Sequence, residues 1–329
     1  ASELIGEVYS VEGEVEHLAS NNFRFSDSEG DWVARFDSGG MGGPFANIKN
    51  SIDQEARIIE ILSEDTDFPV PGFRGLHTEV DQPFIAVENF ESISWNEYAG
   101  KVNRESMLDL FEMTGEAIGE AHRIGFDGFG EIQGRNELEP VFDSAYSWLE
   151  NAVDTQVELA SESSAIRGEE IDRVESYLRG FMDEHESELR NYEGSVLVIS
   201  DIHPGNIGVA EDGESIGFYD LEYGRAGMPV EDIYRTRSEL AGTHEDIERE
   251  EAFESLVEGY ETKAEYDELN MSLGDSGIPF VINLMSLIEY YEQKDEDRSE
   301  RQQELKHSLL DTVSSGEPDY DQYRKIWTD

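Results

Sequence analysis

The hydrophobic rhythm of the chain changes near residue 92, and that change limits the folds open to it. From residue 7 to about 36, apolar and polar residues alternate in short segments: Val15-Glu-His-Leu, Asn22-Phe-Arg-Phe and, after the turn-like Ser28-Glu-Gly-Asp, Asp31-Trp-Val-Ala-Arg-Phe. A period of two sends successive side chains to opposite faces of a sheet, so antiparallel strands are expected. Phe45, Ile48, Ile52, Ile59 and Leu62 then recur at helical spacing, and Pro69 and Pro71 close that helix before two further strands, 73–80 and 83–88. Beyond residue 92 the pattern is mainly helical, through Met107, Leu110, Phe111, Ile118 and Ala121, then Ile171, Val174, Leu178 and Met182, then Phe253, Leu256 and Tyr260, then 278–291. The charged run 293–303 is expected as a solvated helix face or loop. With 329 residues, two lobes fit the length, 1–92 and 93–329.

Two local features ask for chemistry. Glu55 lies in the apolar stripe between Ile52 and Ile59, where a carboxylate costs several kcal/mol, roughly, unless a cation or good donors meet it. The second feature is a β island in the helical part: Ser195-Val-Leu-Val-Ile, Ile207-Gly-Val-Ala, a turn at Glu211-Asp-Gly-Glu, and Ile216-Gly-Phe-Tyr. Asp201 follows its first strand, Pro204-Gly205 imposes a tight turn, Asn206 comes next, and Asp220 ends the hairpin. An Asp-x4-Asn pair alone means little in a chain this rich in Asp; its placement at strand ends gives it weight. Phosphoryl transfer is a problem of charge and orientation. One carboxylate near a hydroxyl, with an amide and a second carboxylate as hard oxygen ligands, would answer it.

At these residues, Ser200-Asp-Ile-His-Pro-Gly-Asn206 and Phe218-Tyr-Asp-Leu-Glu-Tyr-Gly224, the chain resembles the aminoglycoside phosphotransferase and choline kinase-like family. The resemblance implies an α+β, bilobal protein-kinase-like fold, with a small antiparallel β-sheet lobe carrying one helix and a larger, mainly helical lobe carrying a catalytic hairpin. It implies ATP or GTP with Mg²⁺, and a small hydroxylated acceptor. Asp201 would be the catalytic base, Asn206 and Asp220 the metal ligands, and Asp232 a structural acid; Glu222 matches an acidic position without an assigned role. Arg35 on the third strand would contact phosphate and pair with Glu55, which would account for the acid in the stripe. Ser20 and Asn21 lie where the phosphate loop is expected, with Ser and Asn in place of glycines, and Glu88 and Asn89 lead into the segment that would read the purine. The chain departs from the family at Ile199, where a His is usual. His203 and His122 are expected to be structural, and Gly39-Gly-Met-Gly-Gly43 a connector.

The charge balance bears on partners. Asp and Glu number 76 against 24 Lys and Arg, a formal net charge of −52, spread along the whole chain. Such a shell repels itself in dilute buffer and is relieved where salt shortens screening to a few ångströms, so a salt-rich, halophile-type cytoplasm is expected. Nucleic acid is disfavoured as a partner because no basic patch stands out. Cysteine is absent, which excludes disulfides and thiolate metal sites. No apolar run suits a membrane span, and the first ten residues lack the pattern of a leader. The sequence does not specify an oligomeric state. Two other readings are open: a nucleotide-binding pseudokinase, favoured by Ile199 and the poor phosphate loop, and a protein kinase, opposed by the short stretch from Asp220 to Asp232. For the acceptor, an amino alcohol is the first expectation, with Glu222, Asp201, Tyr290, Tyr291 and Trp327 around a cationic head group.

Overall fold

The computed structural model describes residues 1–19, 21–36, 52–135, 137–163, 165–192, 194–240, 243–244, 246–265, 268–294 and 299–318. Of the sequence expectations, Ser20, Gly39 to Gly43, Phe45, Ile48, Trp327 and the side chains of Tyr290 and Tyr291 lie outside the described residues.

The first lobe contains α1 (Ser2–Val8), β1 (Glu16–Ala19), β2 (Asn22–Asp27), β3 (Gly30–Phe36), α2 (Ile52–Asp65), β4 (Phe73–His77) and β5 (Phe84–Glu88). Its five strands form one antiparallel sheet in the order β1-β2-β3-β5-β4. Alternation decides what each face carries. Phe25, Ala34, Phe36, Phe84 and Ala86 pack with Ile5 of α1 on one face. Val33, Ile85 and Val87 join Ile58, Ile59 and Leu62 of α2 on the other. Arg35, between Ala34 and Phe36 and paired with Ile85, is thereby turned toward α2. The expected single helix is therefore two among the described residues. α1 spans 7 residues, too few to show a helical period of its own.

The second lobe begins with β6 (Ile93–Ser94), α3 (Trp95–Ala99) and α4 (Arg104–His122). A hairpin, β7 (Phe129–Gly134) and β8 (Glu137–Phe142), leads to α5 (Ala145–Glu162), α6 (Gly168–Glu184) and α7 (Glu186–Arg190). The β island follows as β9 (Val196–Val198), β10 (Ile207–Val209), β11 (Ile216–Phe218) and β12 (Arg225–Gly227). Then come α8 (Pro229–Leu240), α9 (Arg249–Glu261), α10 (Glu268–Asp275), α11 (Ile278–Lys294) and α12 (Ser299–Ser315). The charged run expected as a helix face or loop thus supplies the end of α11 and the start of α12. We propose the lobe boundary in the connection between β5 and β6.

Two small sheets set the functional loops. The order β11-β10-β6 ties the connection between lobes to the hairpin, and β8-β7-β12-β9 forms a second layer that the sequence did not foretell. Of its strands only β9 showed in the sequence; β12 has three residues with glycine at its end, and β7 contains two glycines, so neither displays a period of two. Beneath them α4 and α9 cross in backbone contact. A Cβ built on Gly115 would lie 1.9 Å from the Leu256 carbonyl oxygen, and one on Gly259 would lie 2.0 Å from that of Glu112. That approach brings His122, at the end of α4, against Tyr260 of α9. Among the described residues, no helix is long and apolar enough to cross a membrane.

Candidate active site

The loop after β9 is held from below by one carboxylate. Asp232, in the first turn of α8, is fully buried. Its Oδ2 accepts the Ile199 N–H at 2.7 Å and its Oδ1 accepts the Ser200 N–H at 2.7 Å. His122 Nε2 lies 3.0 Å from the same Oδ2, and its Nδ1 lies 3.0 Å from the Tyr260 hydroxyl. A buried carboxylate is tolerated because donors surround it. The Ile199 side chain faces the core, while its main chain makes the anchoring bond.

That anchor supports an unusual backbone. Among the described residues, Ser200 (φ +72°) and Asp220 (φ +62°) are the non-glycine residues with left-handed φ. Left-handed geometry costs an L-residue roughly 1–2 kcal/mol and persists only where the surroundings impose it. At Ser200 they do: besides the Asp232 bond, Arg225 Nη1 donates to Ser200 Oγ at 2.6 Å, and Arg225 is itself paired with Glu231.

Asp201, the next residue, is oriented from two sides. Asn206 Nδ2 donates to its Oδ2 at 3.1 Å and to its carbonyl at 3.0 Å, closing the turn around Pro204-Gly205. Arg235 Nη2, one turn along α8 from Asp232, donates to its Oδ1 at 2.6 Å. His203 lies outside this grip. Its Nδ1 accepts the Gly205 N–H at 3.0 Å, a turn-forming role, and its Nε2 is 3.7 Å from Asp201 Oδ2. Arg235 escaped the sequence reading because no motif marks it. The only available signal was its position three residues after Asp232 on a helix, which leaves the two side chains on neighbouring faces.

Asn206 and Asp220 flank the open end of the hairpin. β10 and β11 pair from Ile207 with Phe218 outward, and the Tyr219 N–H donates to the Asn206 carbonyl at 2.9 Å. Asp220 is reached from the first lobe: Arg35 Nη2 donates to its Oδ1 at 2.7 Å while Nη1 bonds Glu55. Burial works against charge on Arg35, but Glu55 and Asp220 outweigh it and hold the guanidinium more firmly protonated than usual. Burial pushes the Glu55 carboxyl up, and Arg35 and the Leu221 N–H oppose that. The Glu222 carboxyl is pushed up to about 7, first by burial and then by Asp220 and Glu55. The lobes also meet where Gln54 Nε2 donates to the Gly224 carbonyl at 2.7 Å. Gly224 leaves no space for a side chain, since a Cβ there would sit 2.9 Å from Ile58 Cγ1.

The remaining expected nucleotide contacts are less defined. Asn21 lies in the β1–β2 turn, its carbonyl accepting the Phe36 N–H at 3.0 Å. The Glu88 and Asn89 N–H groups belong to the sheet, donating to Gly72 and Asp31 at 2.7 and 2.9 Å. A purine read through those two N–H groups would have to exchange these bonds. Among the described residues no group of three or more His, Cys, Asp or Glu is placed to hold a metal ion.

A family model described as the phosphotransferase enzyme family matches residues 13–270, which include every site residue named above. A sequence comparison with curated proteins returns no match. Among solved structures, the ADP-bound aminoglycoside phosphotransferase APH(2'')-Ib is similar at 16% identity with a TM-score of 0.62, over 95% of this chain and 97% of that one. A Plasmodium vivax ethanolamine kinase is similar at 15% identity with a TM-score of 0.58, over 93% and 84%. A macrolide 2'-phosphotransferase type I follows at 14% identity and a TM-score of 0.57, over 92% and 94%. These likenesses bear on the fold, a bilobal, protein-kinase-like α+β architecture. By the extent of its match to the family model, the chain belongs to the phosphotransferase enzyme family.

Proposed function

We propose that the chain transfers the γ-phosphoryl group of ATP or GTP to a hydroxyl of a small molecule. In this reading Asp201 is the base, Asn206 and Asp220 are the ligands of Mg²⁺, and Arg35 meets a phosphate. The observation that carries it is the placement of two left-handed residues, Ser200 before Asp201 and Asp220 itself, at one end of the hairpin. Backbone strain of this kind is kept where surrounding bonds fix it, here those of Asp232, Arg225 and Arg35.

The residues fit the proposed ion. With Nδ2 of Asn206 engaged by Asp201, its amide oxygen is left to serve as one hard donor, and Asp220 offers a carboxylate. Mg²⁺ is commonly held by one or two such groups, completed by phosphate oxygens and water. When bound, the ion would neutralise charge developing on the phosphates. Arg35 keeps one arm of its fork on Glu55 and the other on Asp220, and in this reading the second arm would meet a phosphate oxygen. Asp201, steered by Asn206 and Arg235, would accept the proton of the attacking hydroxyl. Between Asp220 and Asp232 the chain forms a turn, β12 and the start of α8, which speaks against a peptide-docking segment of protein-kinase type.

Nucleotide titration with and without Mg²⁺ tests the assignment. Wild type should bind ATP or GTP in a Mg²⁺-dependent way, and folded Asp220→Ala should lose that dependence. Equal Mg²⁺-dependent binding by both proteins would refute the ligand role.

A further inference from the structure

Beside Asp201, the second lobe contains a pocket of about 700 Å³ of free space counted out to its mouth. Ser200 and Arg235, the residue preceding Asp201 and the cation bonded to it, are part of its lining. The walls are mainly apolar, with Trp148 and Leu149 of α5, Leu273 of α10 and Phe280 of α11, and Ser238 and Asn283 add neutral polar groups.

The charges in this pocket are unlike those of the rest of the molecule. In a chain with 76 acids and 24 bases, the described lining holds two guanidiniums, Arg225 and Arg235, and one carboxylate, Glu231. Glu231 is already engaged, pairing with Arg225 and accepting the Met228 N–H at 2.7 Å. Asp201, the acid next to Ser200, is bonded by Arg235. A cationic acceptor would have to surrender its hydration among apolar walls and compete with two arginines for those carboxylates, which is costly for an ammonium. An uncharged alcohol with an apolar body meets neither penalty and gains from burial.

Building on the phosphotransferase reading, we propose that the acceptor is an uncharged, largely apolar alcohol bound in this pocket, with its hydroxyl toward Asp201. Arg235, which lines the pocket and bonds Asp201, acts as a positioning residue between the two. This departs from the amino alcohol that the sequence suggests.

The test uses matched probes: 3-phenylpropanol against phenylalaninol, and cyclohexylmethanol against 4-aminocyclohexylmethanol, with gentamicin as a polycation. Binding to the full chain is measured by calorimetry at high salt, apart from transfer, which is followed by nucleotide consumption. The neutral member of each pair should bind roughly tenfold or more tightly. Leu273→Trp, filling the pocket, should remove that binding while leaving nucleotide affinity unchanged. Tighter binding of the amines or gentamicin, or neutral-alcohol binding untouched by Leu273→Trp and by a second filling variant, Met228→Trp, would overturn the proposal. Preference for neutral alcohols without transfer would uphold the pocket's binding preference, overturn the acceptor role and count against the phosphotransferase reading.

Discussion

At the scale of single residues, the site depends on donors that the sequence does not advertise. Asp201, Asn206 and Asp220 were legible because Asp, Pro-Gly and Asn at strand ends leave a recognisable pattern. Arg235 and Arg225 were not, since an arginine in or near a helix is ordinary and only the fold brings it to Asp201 or Ser200. Asp232 was legible as a structural acid, but its partners were not, because two of them are main-chain N–H groups. Its removal therefore has a specific consequence. Asp232→Ala would leave those buried N–H groups unsatisfied, at about 1–3 kcal/mol each, and release Ser200 from its left-handed conformation. We expect a destabilisation of about 3 kcal/mol or more by denaturant unfolding. A variant as stable as wild type would show that Asp232 does not hold the loop.

At the scale of elements, the Arg35–Glu55 contact joins β3 to α2, and its logic is visible in the residue pattern alone: a carboxylate in an apolar stripe requires a partner. The sheet explains why that partner is Arg35, since alternation around Ala34 and Phe36 turns it to the α2 face. Breaking a buried pair from one side costs roughly 3–5 kcal/mol, while removing both partners costs less. Glu55→Gln and Arg35→Met should each weaken the fold and raise the nucleotide KM, and the double variant should be less destabilised than the two single effects added. Strict additivity in thermal unfolding would indicate that the two groups do not interact. Elements with a long period, α2, α4, α6 and α9, were legible in the sequence, as were the strands of the first sheet. The helix α1 was not, because seven residues make only about two helical turns, nor were β6 and β12, of two and three residues; in β7 and β8 glycines and Pro140 interrupt the alternation.

At the scale of the whole molecule, the charge and the active site make different demands. A formal charge of −52 repels itself in dilute buffer. Yet the arginines of the site are kept in close pairs with carboxylates, where salt screens them less than exposed charges. Stability should therefore rise steeply as KCl is raised toward molar concentrations while the site pairs persist; a melting temperature flat or falling across that range would refute the salt-rich origin. In the proposed function these lobes close a phosphoryl-transfer site on Asp201. Single-turnover transfer from Mg²⁺·ATP or Mg²⁺·GTP to a small-molecule alcohol, compared between wild type and Asp201→Asn, tests it most directly. Wild type should transfer, and the variant should lose about 10²–10⁴-fold with nucleotide affinity retained. Equal transfer by the two proteins would contradict it.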